Sequence, residues 1–97
     1  MSDLDAKVIA QLRSRAAAGE SATSLATWLV QSVGTSMNTA VAYFREAFLI
    51  SRGAAKAISS APIFGGLLRR EARVDAVLAK SIASTRARWI KAISAGT

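Results

Sequence analysis

A single proline and six glycines in 97 residues leave this chain almost nothing with which to build the tight turns of a β-rich fold. Helix packing is what remains. Hydrophobic residues make up 52% of the chain, many of them alanine, so a single core can form even near the lower size limit of an unaided domain. These features predict one all-α domain, a compact bundle of five or six helices. An apolar fraction this high in so small a body also leaves apolar surface over, which favours a homo-oligomer or a docked partner.

The charge is unevenly divided. Residues 1–48 carry four basic and four acidic side chains, whereas residues 49–97 carry nine basic and two acidic, and so hold the whole net charge of +7. Segregation of this kind suits an anionic partner: nucleic acid, an acidic protein or an acidic lipid surface. Cysteine and histidine are both missing. Disulfides are thereby excluded, and so are the zinc, iron–sulfur and haem sites those ligands build. Nucleophilic triads and histidine general bases go with them. No metal, cofactor or small-molecule substrate is expected.

The chain opens Met1-Ser2-Asp3-Leu4-Asp5, acidic where a signal peptide is basic. Residues 21–44 run without a charge, but ten of them are Ser, Thr, Asn or Gln, a poor composition for a membrane span. A soluble, cytoplasmic protein is the expectation.

Helix periodicity then divides the chain. Leu4, Val8, Ile9 and Leu12 form a first apolar stripe, with Ser2 or Asp3 as its cap and Gly19 beyond its end. Ser21 or Thr23 caps a second helix carrying Leu25, Trp28, Leu29 and Val33, which Gly34 stops. Ser36 caps the third, residues 37–50, with Val41, Phe44, Phe48 and Leu49 on one side, Ala40 and Ala47 on its flank and Tyr43 at its edge. Ser51 caps a short fourth helix over residues 52–60. The run at 61–66, with the only proline, is the clearest break, and Ile63 and Phe64 are expected to turn back into the core. Residues 67–95 read as one basic helix or as two joined near Ser84-Thr85.

That last region carries the strongest constellation. On a continuous helical wheel, Leu67, Val74, Leu78, Ile82, Trp89 and Ile93 share one side. Arg69, Arg73, Lys80 and Lys91 lie roughly opposite, with Arg70, Arg86 and Arg88 on the flanks. These seven are the candidate anion-binding residues. Five are arginines, whose planar fork suits phosphate. Only Glu71 and Asp75 interrupt them, and both are expected to pair with the arginines around them. Trp89 is expected in the core.

A second constellation is Gly34-Thr35-Ser36-Met37-Asn38-Thr39-Ala40-Val41-Ala42-Tyr43-Phe44-Arg45-Glu46. It resembles the turn and recognition helix of bacterial helix-turn-helix regulators, in which the helix N-terminus enters the major groove. The resemblance implies that Ser36, Asn38, Thr39 and Ala42 face bases, with Thr35 and Arg45 near the backbone. Four positions before the glycine, where that family places a small residue, stands Val30. The implied reading face carries one arginine and no lysine.

A third stretch, residues 44–58, keeps Arg45, Glu46, Ala55 and Lys56 at the spacing of the helix–turn–helix in the C-terminal domain of the ribosomal stalk protein, to which it is similar. There the segment docks protein partners; here Leu49 stands where the turn has its glycine. The resemblance implies a tight two-helix unit.

The reading that follows is a non-enzymatic, basic helical binding protein. Nucleic acid leads as partner, in the manner of a helix-turn-helix-like regulator or accessory protein. An acidic protein partner, as for an immunity protein, inhibitor or adaptor, comes second, and a membrane surface third.

Overall fold

A computed structural model describes residues 4–60 and 71–95. Six α-helices and no strand occur among them. Helix α1 (Ala6–Ala17) begins at Asp5, whose extended backbone lets its carboxylate accept the Lys7 N–H at 2.8 Å. The cap is therefore Asp5 and not Ser2 or Asp3, because only a residue directly before the first turn can reach its free N–H groups. Helix α2 (Ala22–Trp28) is capped by Ser21, which accepts the Ser24 N–H at 3.2 Å. It runs on into a π-helical turn, Leu29–Val33. Gly34 then takes the left-handed conformation, φ 83°, that a side chain disfavours.

Helix α3 (Met37–Phe48) starts at Ser36 and stops at Leu49, which is itself left-handed at φ 54°. Helix α4 (Arg52–Ala55) starts at Ser51 and tightens into a 3₁₀ turn, Lys56–Ser60. The break expected at 61–66, with Ile63 and Phe64, lies outside the described residues. Helix α5 (Glu71–Ser84) and helix α6 (Arg86–Ala95) complete the chain. The uncharged stretch 21–44 is divided between α2 and α3. No helix among the described residues is long and apolar enough to cross a membrane.

Leu12, Leu25, Leu29, Phe44, Phe48, Ile58, Leu78 and Trp89 are fully buried. Helix α3 occupies the middle and packs against α1, α4 and α6. Phe48 links the aromatic centre, edge-to-face with Phe44 at 5.5 Å and with Trp89 at 5.3 Å. The inward face of α3 keeps Phe44 and Phe48 but is turned away from Leu49 toward the alanine flank and Tyr43. Ala40, Tyr43 and Ala47 are buried with Phe44 and Phe48, while Leu49 is 42% exposed. Alanines let neighbouring helices come close, and the Tyr43 hydroxyl accepts the Asp5 N–H at 2.9 Å, which satisfies its polar end inside. Trp28 is only half-buried, with the Arg15 guanidinium 4.7 Å from its ring centroid.

The C-terminal region is two helices, parted at Thr85. The Thr85 hydroxyl donates to the Phe48 carbonyl, one of the acceptors left open at the end of α3. The Trp89 indole N–H donates to the Ile82 carbonyl at 3.0 Å, closing the end of α5 in the same way. The first bond ties the joint to a distant helix, and the second spans it locally.

Asp75 was expected to pair with arginine. Instead it accepts the Thr23 N–H at 2.8 Å and the Thr23 hydroxyl at 3.0 Å, so α5 caps the first turn of α2 across 52 positions of sequence. Among the described residues the ion pair is Arg15–Glu20, at 3.2 Å. Asp75→Ala removes the carboxylate that Thr23 donates to and is expected to cost about 2 kcal/mol. Thermal unfolding followed by circular dichroism is then expected to fall by roughly 8–16 °C, with Asp75→Asn in between.

Candidate nucleic-acid interface

The turn between α2 and α3 is built by short-range bonds. The Thr35 N–H donates to the Leu29 carbonyl at 3.1 Å, wrapping the end of the π turn. Ser36 accepts the Thr39 N–H at 3.3 Å and donates to the Thr39 hydroxyl at 3.1 Å. The extra residue of the π turn explains Val30. It brings Leu29 into the core and leaves Val30 at its margin, so no small residue is needed there.

Opposite the buried face of α3 stand Asn38, Ala42 and Arg45, at the i, i+4, i+7 spacing of one helical ridge. Asn38 and Arg45 are exposed. Of the residues expected to face bases, Ser36 and Thr39 are bonded to each other in the cap, Ala42 is half-buried and Asn38 is exposed; Arg45, expected near the backbone, is exposed on the same ridge.

The ridge has a cleft on each side. One, of about 570 Å³, is lined by Met37, Asn38, Val41, Ala42 and Arg45, together with Arg52 and Lys56 from α4 and its 3₁₀ turn. The other, of about 480 Å³, shares Asn38, Ala42 and Arg45 and adds Leu4, Thr39, Glu46 and Ile50. Arg45, Arg52 and Lys56 are all exposed, and no carboxylate among the described residues pairs with them. Sequence patterning missed Arg52 and Lys56 as members of this site. Their i, i+4 spacing was a signal that they share a face, but only the reversal at Leu49 sets that face beside α3.

The expected C-terminal stripe spans two helices where it is described. Lys80 is exposed on α5, and Arg86, Arg88 and Lys91 are exposed on α6. Thr85 parts Lys80 on α5 from the other three on α6. Arg69 and Arg70 lie outside the described residues, as does the side chain of Arg73. The seam behind the stripe is confirmed where described: Val74, Leu78 and Trp89 are buried, and Ile82 and Ile93 pack against them. The Arg86 guanidinium sits 5.5 Å from the Trp89 ring centroid.

Two cations of the first half do internal work. Arg13 donates to the Ala47 carbonyl at 2.7 Å and the Glu46 carbonyl at 3.2 Å, closing the end of α3. Arg15 is held between Glu20 and Trp28. The cations left facing solvent around α3 are those of the α3–α4 cleft. Three unpaired cations around a polar, convex ridge can bind phosphate oxygens while leaving Asn38 free to donate and accept.

Comparison with protein-family models, with curated proteins and with solved structures finds no match.

Proposed function

We propose that this chain is a non-enzymatic nucleic-acid-binding protein, a helix-turn-helix-like regulator or accessory protein. Arg45, Arg52 and Lys56 hold phosphates and Asn38 meets base edges. One observation carries this: three unpaired cations from separate elements converge on the outward ridge of the helix that follows a glycine turn. Phosphate contacts supply most of the affinity, and the amide of asparagine is suited to adenine. The exposed cations of α6 add attraction at longer range. A cytoplasmic location goes with this reading.

The test is a titration of labelled DNA and RNA, duplex and single-stranded, at low salt. Retardation relieved by salt with a steep log–log slope supports the proposal, and failure of every nucleic acid to bind ends it. Asn38→Ala is expected to leave the salt slope unchanged. It should narrow the gap between preferred and scrambled duplexes by about 1–3 kcal/mol, read by competition binding.

Met37, 40% exposed in the same cleft, favours an acidic protein partner as the second reading, since an apolar anchor among cations suits a protein surface. The membrane reading needs the apolar side of the last helix. Trp89 on that side is fully buried in the core, where it would have to unpack before meeting lipid.

A further inference from the structure

We infer that the α3–α4 cleft is a pocket for a free nucleoside diphosphate, with its phosphates on Arg45, Arg52 and Lys56 and its base against Met37 and Val41. The inference goes beyond nucleic-acid binding and rests on that reading only in giving the three cations to phosphates. A cleft of about 570 Å³ falls within the roughly 300–1,000 Å³ that small-molecule sites occupy.

The cleft changes character along α3. Met37, Val41 and Arg45 follow one another at i, i+4 and i+8, a line of about 12 Å on one side of the helix. The first two are apolar, Met37 exposed and Val41 half-buried, and the third is a cation. After the reversal at Leu49, α4 and its 3₁₀ turn add Arg52 and Lys56 to the same cleft. A ligand that is flat and apolar at one end and strongly anionic at the other matches that order. The Met37 thioether is soft enough to lie against a heteroaromatic ring. Beside it, the exposed Asn38 amide carries both the donor and the acceptor that an adenine edge pairs with.

Charge sets the number of phosphates. Arg45, Arg52 and Lys56 have no carboxylate partner among the described residues. A terminal phosphate carries about 1.5 to 2 negative charges near neutral pH, which leaves three cations short by about one charge. A second phosphate supplies it. The neighbouring clefts lack this surplus: the one on the other side of α3 sets Glu46 beside Arg45, and the one on α2 has Glu20 as its charged residue. An acidic peptide is a poorer match. Protein interfaces of standard size engage about 20–30 residues a side, whereas three of the seven residues lining this cleft are cations.

The test is calorimetric titration of the full chain at low salt, without divalent metal, using ADP, AMP, pyrophosphate and adenosine. ADP is expected to bind one to one, about fivefold more tightly than AMP, the effect of one further exposed charge contact. It should bind about tenfold more tightly than pyrophosphate, which has no base to lie against Met37 and Val41, and adenosine should bind most weakly. Met37→Ser is expected to narrow the gap between ADP and pyrophosphate while leaving pyrophosphate unchanged. Arg52→Ala with Lys56→Ala should weaken both by about 30-fold. Alanine at Arg86, Arg88 and Lys91 together, the control on α6, should change neither. All of these side chains are exposed, and thermal unfolding is checked first to show that each variant folds. Pyrophosphate binding as tightly as ADP, or equal losses from the α6 control and the cleft variant, overturns the pocket and leaves general charge attraction. Absence of ADP binding overturns it as well. Nucleic-acid retardation is measured on the same preparation, so failure of that reading and failure of the pocket are read apart.

Discussion

Alanine at Arg45, Arg52 and Lys56 together is expected to weaken DNA binding on the order of 100-fold at low salt. Three exposed charge contacts of about 1 kcal/mol each give that factor. The diagnostic reading is the salt dependence. Each lost phosphate contact flattens the log–log slope by about 0.9, so the triple variant is expected to lose about 2.7 from it. All three side chains are exposed and none is tied to a carboxylate, so the fold should be unmoved. Urea unfolding of the variant checks that point independently. The matched variant, alanine at Arg86, Arg88 and Lys91, removes the same charge from α6. If that variant flattens the slope and the cleft variant does not, the binding surface lies on the C-terminal helices and the cleft assignment is wrong.

Trp89→Ala is expected to bring the domain close to unfolding. The ring is fully buried, and its loss leaves a large cavity against Phe48, a change that typically costs about 3–5 kcal/mol. It also removes the donor to the Ile82 carbonyl, which closes α5. A domain of this size has a total stability of only about 5–15 kcal/mol. The urea midpoint should therefore drop sharply. Trp89→Phe keeps a ring against Phe48 and loses the indole N–H, so about 1–2 kcal/mol of the cost should remain. Because Thr85 bonds the Phe48 carbonyl, α6 also steadies the end of α3. Binding should fail with folding in this variant, whereas the cation triple loses binding with the fold intact. A Trp89→Ala protein with an unchanged midpoint would show that the aromatic centre is not what holds α6.

The starts of three helices and the composition of the core were legible because their causes are local or additive. Ser21, Ser36 and Ser51 each cap an N–H three residues ahead, a bond any tripeptide reach allows. Leu78 and Trp89 are apolar enough that burial was assured wherever their helix lay. The cap at Asp5 was misplaced by two residues, since several polar side chains near the first turn compete for it. The bond between Asp75 and Thr23 was not foreseen, for a different reason. The charged residues nearest Asp75 in sequence are Glu71 and arginines such as Arg73, yet Thr23, whose N–H it accepts, lies on another helix.

The candidate site divides the same way. Asn38 and Arg45 could be placed on one ridge from helical period alone, and the glycine turn before them could be seen directly. The sequence by itself determined an all-helical chain, its cationic second half and the polar ridge of α3. Only the tertiary structure set Arg52 and Lys56 beside Arg45, and it chose, of the one or two helices the C-terminal region allowed, two parted at Thr85. Both outcomes depend on chain direction after a single residue, Leu49 in the one case and Thr85 in the other. Leu49 is left-handed although its side chain disfavours it, and Thr85 is held by the Phe48 carbonyl and, through Trp89, by the end of α5. Such choices are made by packing across the whole core. The local pattern marked Ser84-Thr85 as a candidate joint, but only packing decides that the helix ends there.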